Sequence, residues 1–319
     1  MLIIALTALL LLCALRMCIG PTGLSWPDDA LLLELRASRT IAAVIVGASL
    51  ACGGVLLQSL LRNVLASPDV LGVSSGASLG VMLGVYAGVG VGAAGAAWQG
   101  LPALAGALLA LLAVLALSRH AGLVDPSALI IVGVVVSVLC GAGVVFLQYL
   151  MPDVGYASIR LLMGGLSDET SRLSLLMCAI TAALGMALAA WLGPSLDAAA
   201  LGADEASSVG VSVARLRLAV LTLTGALTAC AVVLAGPVGF VGLIAPHAAR
   251  ALLGVRASRH RTLVLLSAAL GAGLIVMADG LIRAIDLGAG RMPLGVLTAL
   301  VGGPTLVVLL RRFAWTSTT

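Results

Sequence analysis

Gly72-Val73-Ser74-Ser75-Gly76 carries the G-x-S-x-G pattern of serine hydrolases, in which a serine on a sharp strand-to-helix turn is activated by a histidine. Here the segment opens a glycine-rich helical stretch, which disfavours the hydrolase reading; the chain's three histidines are His120, His247 and His260. None of them has a companion at metal-ligand spacing. Cys13, Cys18, Cys52, Cys140, Cys178 and Cys230 form no C-x-x-C pair and read as small buried apolar residues, so no metal and no cofactor is expected. All 17 basic residues are arginine. A chain without lysine cannot hold the phosphates of a P-loop or form a Schiff base, so any ATP it uses is hydrolysed by another chain. No catalytic residue is expected.

The elements that would position these residues are set by composition. Of 319 residues 61% are hydrophobic and only 9% charged, against about 25% charged in soluble domains, so most of this surface does not face water. A spanning helix needs roughly 20 apolar residues. Charges, prolines and turn clusters divide the chain into ten candidates: 2–19, 39–61, 70–91, 99–118, 128–150, 172–193, 215–235, 239–254, 262–283 and 293–311. The eighth is short and contains Pro246. The first lacks the basic start and cleavage site of a secretory signal and reads as a retained helix. The expectation is an all-α, multi-pass integral membrane protein forming one transmembrane domain over 1–319, because helices satisfy their backbone groups within one apolar run. Gly72, Gly76, Gly80, Gly84, Gly88 and Gly92 clear one face of the third span for close packing.

Ten spans leave both ends on one side. With that side cytoplasmic, Arg62, Arg119, Arg215, Arg217, Arg250, Arg256, Arg259, Arg261, Arg311 and Arg312 lie inside. Arg16, Arg36, Arg39, Arg160, Arg172, Arg283 and Arg291 remain outside, against the insertion bias. They read as headgroup anchors or as a docking site for something acidic. Asp279 is the nearest case of an ionisable residue inside a span, and Arg283 one turn on is its expected partner. That scarcity disfavours an ion-coupled carrier, the reading from outside the leading class.

Sliding the chain by 178 positions brings Arg39 onto Arg217, Gly47-Ala48 onto Gly225-Ala226, Ala51-Cys52 onto Ala229-Cys230, and Pro68 onto Pro246. The copies start at the second and seventh spans. Five helices separate them, an odd number, so the repeat is inverted, as is common in transporters. The longest polar interruption, 194–214, reads as a short amphipathic helix between glycine breaks, suited to a soluble partner or to the headgroup layer.

Six segments then resemble one family. They are Arg36-Ala37-Ser38-Arg39-Thr40, the run from Arg62-Asn63 through Ser67-Pro68-Asp69 to Gly72, Leu162-Met163-Gly164-Gly165-Leu166, Leu201-Gly202 to Gly210-Val211, the run from Gly236-Pro237 to Pro246-His247, and Met292-Pro293-Leu294-Gly295-Val296. In this order, from 36 to 312, the chain resembles the FecCD/BtuC-type permeases of ABC importers for iron–siderophore chelates, haem and cobalamin. The resemblance implies the type II importer fold, with spans 2–5 inverted relative to 7–10. It implies two ABC ATPase subunits, a second permease copy or paralogue, a periplasmic or surface substrate-binding protein and a bacterial cytoplasmic (inner) membrane; no nucleic acid is implied.

Residue by residue, the resemblance implies that Arg36, Arg39 and Arg283 dock the binding protein. The segment about 196–211, with Leu201, Gly202, Ala203, Asp204, Glu205, Ala206, Gly210 and Val211, corresponds to the coupling helix in the ATPase cleft. Gln148, Tyr149, Met151, Met163, Pro246, His247 and Pro293 are the candidates for lining the path. Val64, Ser38 and the pair Arg291-Met292 depart from the family pattern, the last adding positive charge at the outer mouth. The expected cargo is an iron chelate, siderophore-bound or haem, with cobalamin or an oxyanion as alternatives.

Overall fold

A computed structural model of the chain describes residues 1–20, 23–24, 26, 29–69, 71–89, 100–120, 123–124, 126–151, 164–166, 170–254, 259–284 and 292–316. Twelve helices are described: α1 Leu2–Cys18, α2 Ala30–Leu61, α3 Val73–Tyr86, α4 Gly100–Leu117, α5 Pro126–Leu150, α6 Arg172–Trp191, α7 Gly193–Leu201, α8 Ala203–Ser208, α9 Val213–Ala235, α10 Val241–Leu253, α11 His260–Ala284 and α12 Leu294–Thr316. Two antiparallel ribbons of two-residue strands, Ile19–Gly20 with Gly23–Leu24 and Arg119–His120 with Leu123–Val124, follow α1 and α4. The apolar helices α1–α6 and α9–α12 occupy the ten expected spans. Six of them are long and apolar enough to cross a membrane, and α1, α3 and α10 are shorter.

The second span departs from expectation by starting at Ala30. The Asp29 carboxylate accepts from the Leu31 amide and caps the helix there, and Leu31-Leu32-Leu33 carries it on. The resulting 32 residues measure about 48 Å, longer than the hydrocarbon layer of about 30 Å. Arg36 and Arg39 therefore sit within a continuous helix instead of at its start.

α2 and α11 form the centre, with backbones in direct contact. A Cβ on Gly47 would overlap the Gly271 carbonyl, and one on Gly54 would overlap that of Gly242 in α10. The stripe on α3 works as expected: Gly76, Gly80 and Gly84 admit Gly106, Ala110 and Pro102 of α4. α3 ends at Tyr86, before Gly88, which has φ 78°. One apolar core lies among α2, α6 and α9–α11; another lies among α3, α4 and α5.

Pro246 does not interrupt α10. A proline has no N–H for the carbonyl four residues back, here that of Gly242. Gln58 of α2 supplies the donor, its Nε2 giving to Gly242 O at 3.2 Å, while its Oε1 accepts from Arg250 Nη1 at 2.6 Å.

Candidate functional site

At the outer ends of α1, α2 and α11 three charged side chains converge inside the protein. Asp279 Oδ2 accepts from Arg16 Nε at 2.7 Å and lies 2.6 Å from Arg16 Nη2. Asp279 Oδ1 accepts from Arg39 Nη2 at 2.7 Å and Nε at 3.0 Å. Gly280 leaves room for the Arg16 stem to lie against α11. The i,i+4 partnership of Asp279 with Arg283 is thus replaced by two arginines from distant helices. A buried carboxylate facing two guanidiniums is better compensated than one paired along its own helix.

The arginines expected to meet a binding protein do not lie on an open rim. Arg36 is 7% and Arg39 6% exposed. Arg36 Nη1 donates to Met17 O at 2.8 Å, and Arg39 Nη1 donates to Leu166 O at 2.7 Å. α2 begins early enough to carry both below the surface. Arg283 is half-buried in the last turn of α11. The exposed outer ion pair is a different one, Arg172 Nε with Glu34 Oε1 at 2.7 Å, joining α6 to α2. Among the described residues, carboxylates hold Arg16, Arg39 and Arg172.

Leu166 ties this cluster to the segment before α6. Gly165 N donates to Ala235 O at 2.7 Å, and Gly295 N to Gly164 O at 3.4 Å. Gly164 has φ 67°, and a Cβ there would overlap the Pro237 carbonyl, so the backbone requires glycine.

The expected path residues fall in separate places. Tyr149, 82% exposed, and half-buried Gln148 end α5, where Met151 packs beside Met82 and Leu147. Pro246 and His247 lie in α10, with His247 Nδ1 2.8 Å from the Leu243 carbonyl of its own helix. Pro293 precedes α12 at the end where Gly164 docks. Met163 lies outside the described residues.

On the cytoplasmic side, Gly202 is extended at φ 170° and Gly210 is left-handed at φ 82°, and α8 forms between them. Ala203 through Glu205 make its first turn, and Val211 N closes the segment on Ala206 O at 2.9 Å. The glycine break at Gly202 separates α7 from α8. It also folds α8 back on α7 and the start of α9. Ala206, expected at the partner surface, is 0% exposed. Leu201 and Val209, 76% and 68% exposed, stand outward with Asp204 and Glu205. His260 opens α11 instead of lying in a loop. Asp197 of α7 accepts from its backbone N–H at 2.9 Å and its ring Nδ1 at 2.6 Å, and Arg62 Nη2 donates to Ala199 O at 2.7 Å.

The Ser74 hydroxyl donates to Asp69 Oδ1 at 2.6 Å. Asp69 Oδ2 accepts the amide of Phe240, a residue at φ 68°, so this carboxyl joins the loop after α2 to the start of α10. Burial pushes it up to about 6, against the pull of the Ser74 hydroxyl and Phe240 amide. Sequence reasoning missed Gln58, Asp69 and the Asp197–His260 pair. The local signal available for the first was a proline inside an apolar run.

The model of the FecCD transport family matches residues 4–312. The vitamin B12 import system permease protein BtuC of Vibrio cholerae is 36% identical over 308 residues, covering 94% of this chain and 90% of that protein. The hemin transport system permease protein HmuU of Yersinia pestis is 34% identical over 283 residues, covering 88% of this chain and 83% of its own. A solved inward-facing structure described as a metal-chelate type ABC transporter superposes with a TM-score of 0.81 at 30% identity, covering 97% of this chain and 98% of that one.

Proposed function

Because the chain belongs to the FecCD transport family of ABC-importer permeases, we propose that it passes a metal chelate, iron bound in a siderophore or as haem, across the cytoplasmic membrane. It is a multi-pass transport subunit whose sequence carries no ATPase motif. The observation carrying the cargo reading is the whole-length likeness to a metal-chelate type transporter. Cobalamin is the second reading, favoured by the Vibrio cholerae relative.

In this reading two ATPase subunits dock below, where Leu201 and Val209 offer apolar contacts and Asp204 and Glu205 flank them. A second permease, a copy or a paralogue, covers the outward face of α5, along which Ile131, Val138, Val145 and Tyr149 are exposed. The cargo would then pass between Tyr149, Gln148 and Pro293 of the two permeases, with Met163, Pro246 and His247 assigned to the path on resemblance alone. A substrate-binding protein delivers the cargo outside. Arg36, Arg39 and Arg283 are assigned to its docking on resemblance, their positive charge attracting acidic groups of the binding protein.

The test is uptake by vesicles holding the permease with its cognate ATPase and binding protein. Uptake of a ferric siderophore, haem or cobalamin that requires ATP and persists after collapse of ion gradients supports the reading. Gradient-driven uptake without ATP overturns it. The chromophore co-purifying with the binding protein separates the iron chelates from the corrinoid.

A further inference from the structure

A cavity of about 280 Å³ opens between α2, α4, α7 and α9 near their cytoplasmic ends. Its lining includes two guanidiniums, Arg62 and Arg217, above a floor of Leu60, Leu115, Leu196 and Leu221, and no acidic residue lines it. Arg217 is exposed and, among the described residues, is engaged by no carboxylate. Leu221 lies one turn farther into the membrane than Arg217, so the cavity runs from the charged level into the hydrocarbon.

The inverted repeat says what this cavity lacks. Arg217 is the counterpart of Arg39, and Gly225 of Gly47. Gly47 packs on Gly271 of α11, and Gly225 packs on Leu108 of α4, so α4 stands to α9 as α11 stands to α2. Asp279, the anion of Arg39, lies just over two turns beyond Gly271. The same distance beyond Leu108 reaches Ala116, next to Leu115 in the cavity wall. Where one half of the molecule supplies a carboxylate, the other supplies alkyl side chains and an opening.

We propose that this cavity binds an anionic phospholipid of the cytoplasmic leaflet. Its phosphate lies between Arg217 and Arg62, and its first acyl methylenes lie along Leu60, Leu115 and Leu221. Basic pockets between spanning helices on the cytoplasmic side suit such headgroups, and the apolar floor favours a lipid over a free anion or an acidic protein loop. Leu196 and Ala199 of α7 form one wall, so an occupied cavity braces the helix that leads into α8.

The test places the full-length permease in nanodiscs of phosphatidylcholine with a minority of phosphatidylglycerol and measures the lipid retained after transfer to detergent by native mass spectrometry. Wild type should retain phosphatidylglycerol in preference to phosphatidylcholine. Arg217→Gln should retain about fivefold less, the effect of one interfacial charge, and Arg217→Lys should keep most of it. Arg215→Gln removes an exposed charge two residues away that does not line the cavity, and should retain lipid as wild type does. Equal retention by Arg217→Gln and wild type overturns the proposal. So does displacement of the lipid by inorganic phosphate alone, which would mark a free-anion site. Weaker binding of the ATPase subunit by Arg217→Gln with lipid retention unchanged also overturns it, by making Arg217 a protein contact.

Discussion

Arg39 and Asp279 are 240 residues apart and share hydrogen bonds of 2.7 and 3.0 Å across the contact between α2 and α11. Arg16 holds the other oxygen of the same carboxylate, so one anion serves two buried cations from separate helices. Removing the anion takes the Asp279 charge away from both buried guanidiniums. Asp279→Asn should therefore lower stability by about 3–5 kcal/mol, seen as a lower thermal midpoint and a smaller yield of inserted permease. Arg39→Glu should fail in the same way, before any effect on docking can be read. A wild-type midpoint for Asp279→Asn would contradict the arrangement.

The coupling segment gives a second expectation. Leu201 and Val209 face outward, whereas Ala206 is enclosed by its own chain. Leu201→Asp with Val209→Asp should leave the permease folded and weaken ATPase binding about tenfold, measured by titrating the ATPase onto reconstituted permease. Ala206→Arg should instead disturb the fold of α8 itself, by overpacking and by burying a charge, and show as protease sensitivity between Gly202 and Gly210. Protease resistance with lost ATPase binding in Ala206→Arg would restore that residue to the contact surface.

The third concerns Gln58 and Pro246. The glutamine amide fills the place of the N–H that proline lacks, so its value depends on the proline. Gln58→Leu should cost about 1–3 kcal/mol by leaving the Gly242 carbonyl unsatisfied. In a Pro246→Ala background the alanine amide reaches Gly242, and the same substitution should cost about 1 kcal/mol less. Additive effects in the double-mutant cycle would show that Gln58 does not serve this carbonyl.

What the sequence made legible was local. Apolar runs gave the ten helices, the glycine stripe gave the packing of α3 on α4, and Gly202 and Gly210 gave the bounds of α8. The partners of Asp279 were not legible, because the i,i+4 rule reaches only one turn, whereas Arg16 and Arg39 come from helices brought close by folding. Arg36 and Arg39 looked terminal because the span was counted from the first unbroken apolar run; the cap at Asp29 moves the helix start two turns earlier. The burial of Ala206 depended on the direction of the chain after Gly202, and the type of residue does not give that direction.

The backbone contact of Gly47 with Gly271 also bears on how this molecule can move. Where two helices touch through side chains, a change of rotamer lets one slide past the other in small steps. Here no side chain stands between them, and any slip drives carbonyl oxygen into α-carbon. The transport cycle would therefore carry α2 and α11 as one rigid body, tied at its outer end by Arg39 and Asp279. Displacement falls to helices outside this pair, such as α5, whose Ile131, Val138 and Val145 are exposed.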